Sequence, residues 1–201
     1  MQQFVETIKI EDGKALNLNF HQARMERTMR HFFAHTPVPM LSGVLSPTPD
    51  MHFYKARVVY GEQGVKDVQY APYKMREIRS LKLVEDNEID YSFKSTDRAC
   101  LNRLTAQKGD CDEVLIVKNG LLTDTSFTNV AVFDGERWLT PRHPLLLGTK
   151  RASLLERQVI READISVETL MKAQKVSLIN AMIDLGEIEI SIANVIRVDR
   201  Y

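Results

Sequence analysis

Ile89, Tyr91 and Phe93 alternate with Asp90, Ser92 and Lys94, a period of two that predicts a strand with Lys94 on its less apolar face. Ser95 or Thr96 can then cap a helix running to about Lys108 and stopped by Gly109. Ahead of this unit, Phe4–Ile10 reads as a strand. Glu11-Asp12-Gly13-Lys14 turns, and Ala15–Leu18 pairs back. Asn19 can cap a helix from Phe20 to about Ala34, and Pro37, Pro39, Pro47 and Pro49 mark an irregular segment. Phe53–Tyr60 and Val65–Tyr70 form an expected antiparallel pair across Gly61–Gly64, and Met75–Glu85 holds a further strand. The polar run Glu85–Glu88 is the expected boundary between a domain over 1–88 and one over 89–201.

Beyond Lys94, Glu113–Lys118 is strongly strand-like and runs into Asn119-Gly120, the strongest short hairpin signal. Leu121–Thr123, Asn129–Phe133 and Arg137–Thr140 are further strands, with Asp134-Gly135 as a tight turn. A helix is expected from Gly148-Thr149 to about Glu162, a short one over Val167–Ala173, and a strand over Lys175–Ala181. Strands and helices mix in both halves without steady βαβ alternation, which predicts an α+β fold.

Composition narrows the function classes. The chain has 201 residues, 44% hydrophobic and 27% charged, with 27 basic against 27 acidic side chains. That size and composition support a real core. The balance leaves no field to draw in nucleic acid or an anionic membrane. Cys100 and Cys111 lack metal-ligand spacing and are too few for a disulfide framework, so a reducing cytoplasm is expected. The start of the chain carries charges where a signal peptide needs an apolar run, and no stretch approaches membrane-spanning length. Phosphate-loop, dinucleotide, G-x-S-x-G and H-E-x-x-H patterns are absent. His31 and His35 have no nearby acidic or thiol partner, so no metal site is expected.

Five features carry candidate chemistry, each with a plainer competitor. An aimed amine at Lys94 suits covalent chemistry on a carbonyl if its surroundings lower its pKa; alone it reads as a surface lysine. Arg24, in His21-Gln-Ala-Arg24, can fork onto a phosphate or be an ordinary helical arginine. Asp124, in Thr123-Asp124-Thr-Ser-Phe-Thr-Asn129, can pair with a buried cation or cap a turn. Gly148-Thr149-Lys150-Arg151 places glycine and N–H groups at a helix start, a ready anion site or a plain helix entry. Asn180-Ala181-Met182 leaves a strand into a loop of small residues, a candidate binding loop or only a turn. A lysine, a carboxylate for a pyridine nitrogen and a phosphate cup are together what pyridoxal phosphate requires.

As a set, Lys94 to Arg98, Asp112-Glu113-Val114-Leu115, Gly120, Thr123-Asp124, Asn129, Thr140-Pro141, Gly148 and Arg151 resemble the class IV aminotransferases, the fold-type IV pyridoxal-phosphate enzymes. The resemblance implies a small N-terminal α/β sandwich and a larger, pseudo-barrel-like C-terminal α/β domain. It implies that Lys94 bonds covalently to the cofactor aldehyde and that Asp124 faces the pyridine nitrogen. Arg24 would hold the phosphate, with Gly148, Thr149, Lys150, Ala181 and Met182 completing its cup. Asn180 and Arg57 are weaker candidates for the substrate carboxylate. A small amino substrate and a homodimer are implied by resemblance alone. Among the family's reactions, the compact first domain and Lys94-x-x-x-Arg98 look most like 4-amino-4-deoxychorismate lyase, a folate-pathway activity. A small amino acid aminotransferase and a non-catalytic cofactor-binding member are the alternatives. Three departures stand out: the expected first domain is reduced, Val5 stands where D-amino acid transaminases carry a tyrosine, and Asp124 is shorter than the family's glutamate by one C–C bond, about 1.5 Å.

Overall fold

The computed structural model describes residues 2–197; residues 1 and 198–201, which belong to the two expected domains, lie outside the described residues. The chain forms two compact units. The first comprises Met1–Met75 with Phe93–Asp97, the second Arg76–Ser92 with the chain from Arg98 onward. This differs from a boundary at 88/89. The polar run expected to separate domains is a turn inside the second unit: the Asp86 N–H donates to Val117 O and the Asn119 N–H to the Asn87 side chain.

The first unit is built on a four-stranded antiparallel sheet, ordered β2-β1-β3-β4. Its strands are β1 (Phe4–Glu11), β2 (Lys14–Ala15), β3 (Phe53–Gly61) and β4 (Gly64–Pro72). Helices α1 (Leu18–Phe32) and α2 (Leu41–Val44) lie in the same unit. Alternation along β1 sends Phe4, Glu6, Ile8 and Ile10 to the core face. The apolar three pack with Met25 and Met29 of α1 and with Ala56, Val58 and Tyr60 of β3. Helix α1 begins earlier than an Asn19 cap would allow. Asn17 adopts a left-handed conformation (φ 53°), and its carbonyl accepts from the Phe20 and His21 N–H groups. Asparagine tolerates that conformation better than most residues.

Lys94 is not at the end of a strand. Asp90 Oδ1 accepts the Ser92 N–H at 2.9 Å, which turns the backbone and ends the expected extended run. Ile89 and Tyr91 join a core of the second unit, whereas Phe93 packs in the first. Phe93–Asp97 instead docks along β1. An antiparallel bridge joins Phe4 to Ser95, flanked by Val5 N–H to Lys94 O and Thr96 N–H to Gln3 O, each 3.0 Å. Ser95 and Thr96 are spent here rather than on a helix cap. Ser95 Oγ accepts the Asp97 N–H, and Thr96 Oγ1 donates to Gln3 O. The following helix, α3 (Ala99–Thr105), therefore starts later than expected.

The second unit carries β5 (Leu81–Glu85), β6 (Glu113–Lys118), β7 (Leu121–Thr125), β8 (Asn129–Phe133), β9 (Trp138–Pro141), β10 (Ile160–Ala163), β11 (Lys175–Ile179), β12 (Glu189–Ser191) and β13 (Val195–Ile196), with α3, α4 (Thr149–Glu156) and α5 (Val167–Leu170). They form two sheets, ordered β13-β5-β6-β7 and β10-β9-β8-β11-β12. The β6–β7 hairpin turns on Asn119 and Gly120, both at positive φ (52° and 75°), as its two-residue loop requires. Helix α4 stops at Glu156, short of the expected Glu162. Gln158 turns left-handed (φ 56°), the Val159 N–H caps Leu154 O, and Ile160 enters β10 parallel to β9. Among the described residues, no helix is long and apolar enough to cross a membrane. The architecture is the expected α+β class.

The ring of Phe4 touches those of Phe32, Phe33, Tyr60 and Phe93, which makes it the centre of the first unit's core. Phe4→Ala should cost about 3–5 kcal/mol, read as a fall in the urea midpoint; a loss below about 1 kcal/mol would mean the cluster refills the space.

Candidate active site

In the second unit the acid at Asp124 is tied to the start of α4. β7 delivers Asp124 into the interior, where it is 4% exposed. Its Oδ1 accepts from Asn129 Nδ2 at 2.8 Å and its Oδ2 from the Leu146 N–H at 2.9 Å. The other Asn129 amide hydrogen serves Leu146 O, also at 2.8 Å. Asn129 Oδ1 presses against Gly148, where a built Cβ would fall 1.9 Å from it. Glycine at 148 is therefore required by close approach, since its φ of −71° is ordinary.

Burial pushes the Asp124 carboxyl up to about 7, opposed by the Leu146 N–H, the Asn129 amide, the Arg151 charge and the Leu145 N–H. A buried carboxyl poised there is stabilised as an anion by any cation brought to it, such as a protonated pyridine nitrogen.

Helix α4 opens at Gly148 with no side-chain cap, and Thr149, Lys150 and Arg151 of its first turn are buried. N–H groups of a first helical turn point out of the helix end and favour an anion. The Lys150 side chain forms an ion pair with Asp184, linking α4 to the loop after β11. In that loop Asn180 is a brace. Its Nδ2 donates to Phe127 O at 3.3 Å, and its Oδ1 accepts the Met182 N–H at 2.8 Å. The Met182 amide, expected to serve a phosphate, is thus engaged internally, whereas the Ala181 N–H meets no acceptor among the described residues.

The remaining candidates belong to the first unit. The Phe4–Ser95 bridge puts Lys94 opposite Val5, hence on the same sheet face as Val5 and Thr7. Arg57 is registered against Thr7 and shares that face. It is half-buried and makes no ion pair among the described residues. Lys94 is also half-buried, and its charge is close enough to disfavour protonation of His21. Arg24 is neither exposed nor on that face. It lies under β1 at 5% exposure, with Nε donating to Glu6 Oε1 at 3.0 Å and Nη2 to Glu6 Oε2 at 2.6 Å. Glu6 and Asn129 were absent from the expected site. For Glu6 the available signal was an acid among the apolar positions of an alternating strand. For Asn129 it was only its place in the motif.

The fit to the cofactor rests on these observations: a buried acid with no side-chain cation in contact among the described residues, a glycine-led helix start, and an N–H on the adjoining loop that meets no acceptor among them. The sequence profile of the amino-transferase class IV family matches residues 65–190. A protein of Haemophilus influenzae with no assigned function is 38% identical over 186 residues, covering 90% of this chain and 98% of its own. A "putative aminodeoxychorismate lyase" of Schizosaccharomyces pombe is 26% identical over 85% of this chain and 82% of its own. The crystal structure of a "putative 4-amino-4-deoxychorismate lyase" from Haemophilus somnus superposes with a TM-score of 0.85 at 35% identity, covering 92% of this chain and 98% of that one. The chain belongs to the class IV aminotransferases, a family of pyridoxal-phosphate-dependent enzymes.

Gly148→Ala should destabilise the protein by about 1–3 kcal/mol through overpacking on Asn129. In an Asn129→Ala background the same methyl should cost far less, so a double-mutant cycle that is additive would reject the contact. Asp124 gives a pH test on cofactor-free protein. Its folded pKa lies above its unfolded one, so its contribution is fully present below about pH 4 and lost as pH rises through about 7. The loss amounts to about 4 kcal/mol. Thermal midpoints of Asp124→Asn should lack this decline; parallel curves for the two proteins would contradict it.

Proposed function

We propose that the protein binds pyridoxal phosphate and converts 4-amino-4-deoxychorismate into 4-aminobenzoate and pyruvate. The observation that carries the cofactor reading is the Asp124–Asn129–Gly148 tie, which couples a buried acid to a glycine-led helix start. The lyase reading is supported by the H. somnus likeness, which spans nearly all of both chains. When bound, pyridoxal phosphate supplies an aldehyde that captures amines covalently and a ring that accepts electron density from the neighbouring carbon.

The chain's own residues then take these roles. Lys94 would hold the cofactor through its amine, and the same amine, when free, would serve as the base for the substrate's Cα proton. Its backbone is pinned to β1, so the amine swings from a fixed root. Asp124 holds the ring nitrogen in its protonated form by charge pairing. Arg24, the first-turn amides of α4 at Thr149 and Lys150, and the Ala181 N–H hold the phosphate. Arg57 takes the substrate carboxylate: it shares a sheet face with Lys94 and makes no ion pair among the described residues. Asn180 and Met182 serve by shaping the loop that presents Ala181.

Purified protein mixed with pyridoxal phosphate should develop a visible absorbance band that Lys94→Ala abolishes. With 4-amino-4-deoxychorismate it should release 4-aminobenzoate and pyruvate. A protein that stays colourless and takes up no cofactor would overturn the reading. Glutamate formation from an amino acid and 2-oxoglutarate, without 4-aminobenzoate release, would make it an aminotransferase instead.

A further inference from the structure

Glu6 occupies an unusual place for a carboxylate. It is fully buried in the first unit, between Phe4 and Ile8 on the core face of β1. Burial by itself would raise its pKa, yet Arg24 and His21 overcome that and hold it at about 2. It is therefore an anion at every working pH. Its Oε1 takes Arg24 Nε and its Oε2 takes both Arg24 Nη2 and His21 Nδ1, the last two at 2.6 Å. Two parallel bonds to one edge of a guanidinium remove its rotation and fix its plane. Burial drives His21 toward the neutral form, against the pull of Glu6, and its Nδ1 lies in hydrogen-bond contact with the carboxylate. Glu6 and Arg24 then cancel in charge, and the arginine acts as an aimed set of donors more than as a free cation. Stability alone is a weak reason for such a group, because buried ion pairs are often matched by apolar residues of the same volume.

We infer that Glu6, seated by His21, is the positioning residue that aims Arg24 at the phosphate of the cofactor. This rests on the reading that Arg24 holds that phosphate.

The test compares binding of pyridoxal phosphate with that of pyridoxal, which lacks the phosphate, on the full chain by absorbance titration. Wild type should prefer the phosphate ester. Glu6→Gln should reduce that preference by about tenfold or more, the scale of one lost oriented hydrogen bond, while pyridoxal affinity stays unchanged. A merely structural pair would weaken both ligands equally and leave the ratio intact, and that result overturns the inference. Arg24→Gln separates the two layers. If it lowers the ratio and Glu6→Gln does not, only the role of Glu6 falls. If neither lowers it, the phosphate role of Arg24 falls as well. Should Glu6→Gln fail to fold, Glu6→Asp decides, since it keeps the charge and withdraws the carboxylate by one methylene. A lowered ratio supports the inference and an unchanged one overturns it.

Discussion

The Asn129 side-chain amide is the contact on which the arrangement of Asp124 and the start of α4 depends. One hydrogen holds the Asp124 carboxylate and the other holds Leu146 O, while the Leu146 N–H closes the ring onto Asp124. On its far side the amide oxygen leaves no room for a side chain at residue 148. A buried acid, a loop and a helix start are thereby fixed at set spacings by a single planar group. The arrangement leaves the carboxyl under-compensated, which is why burial lifts it to about 7. Such a group is costly in a protein that does nothing with it.

The first unit solves a related problem with its backbone. Lys94 has no regular element of its own, so its aim comes from borrowed pairing along the edge of β1. Phe93 anchors the segment from the core side by packing on Phe4 and Phe32, with the His31 ring stacked at 4.7 Å. The same sheet has two differently used faces. One buries Glu6 and Arg24 with the apolar core, and the other carries Lys94, Val5, Thr7 and Arg57.

Regular alternation and strong turn chemistry made much of this readable in the sequence. The β3–β4 pair, the Asn119-Gly120 hairpin and the β1 strand follow from local signals that tertiary packing does not oppose. Where reading failed, a local group had been diverted to a distant partner. Ser95 and Thr96 have the chemistry of helix caps, but both hydroxyls donate to Gln3 O, just ahead of β1. The Ile89–Phe93 alternation is real, yet its apolar members serve two different cores. Gln158 ends α4 in a conformation usually given to glycine or asparagine, so no stop signal was visible. At the candidate site, Asp124, Asn129 and Gly148, which the structure ties together, all lie in the motif that the sequence displays. Glu6 does not, although an acid among Phe4, Ile8 and Ile10 is a direct sign of a buried cation.

The pairing of Ser95 with Phe4 also makes the side on which Lys94 stands a matter of counting. Neighbouring residues on an extended chain point to opposite sides, so side is decided by odd or even position. Inserting or deleting a single residue close to 94 would turn its amine toward the aromatic core and bring a neighbour out in its place, with the local backbone bonds intact. Exchange of the side chains beside Lys94 is therefore a milder insult than any change in the length of this stretch.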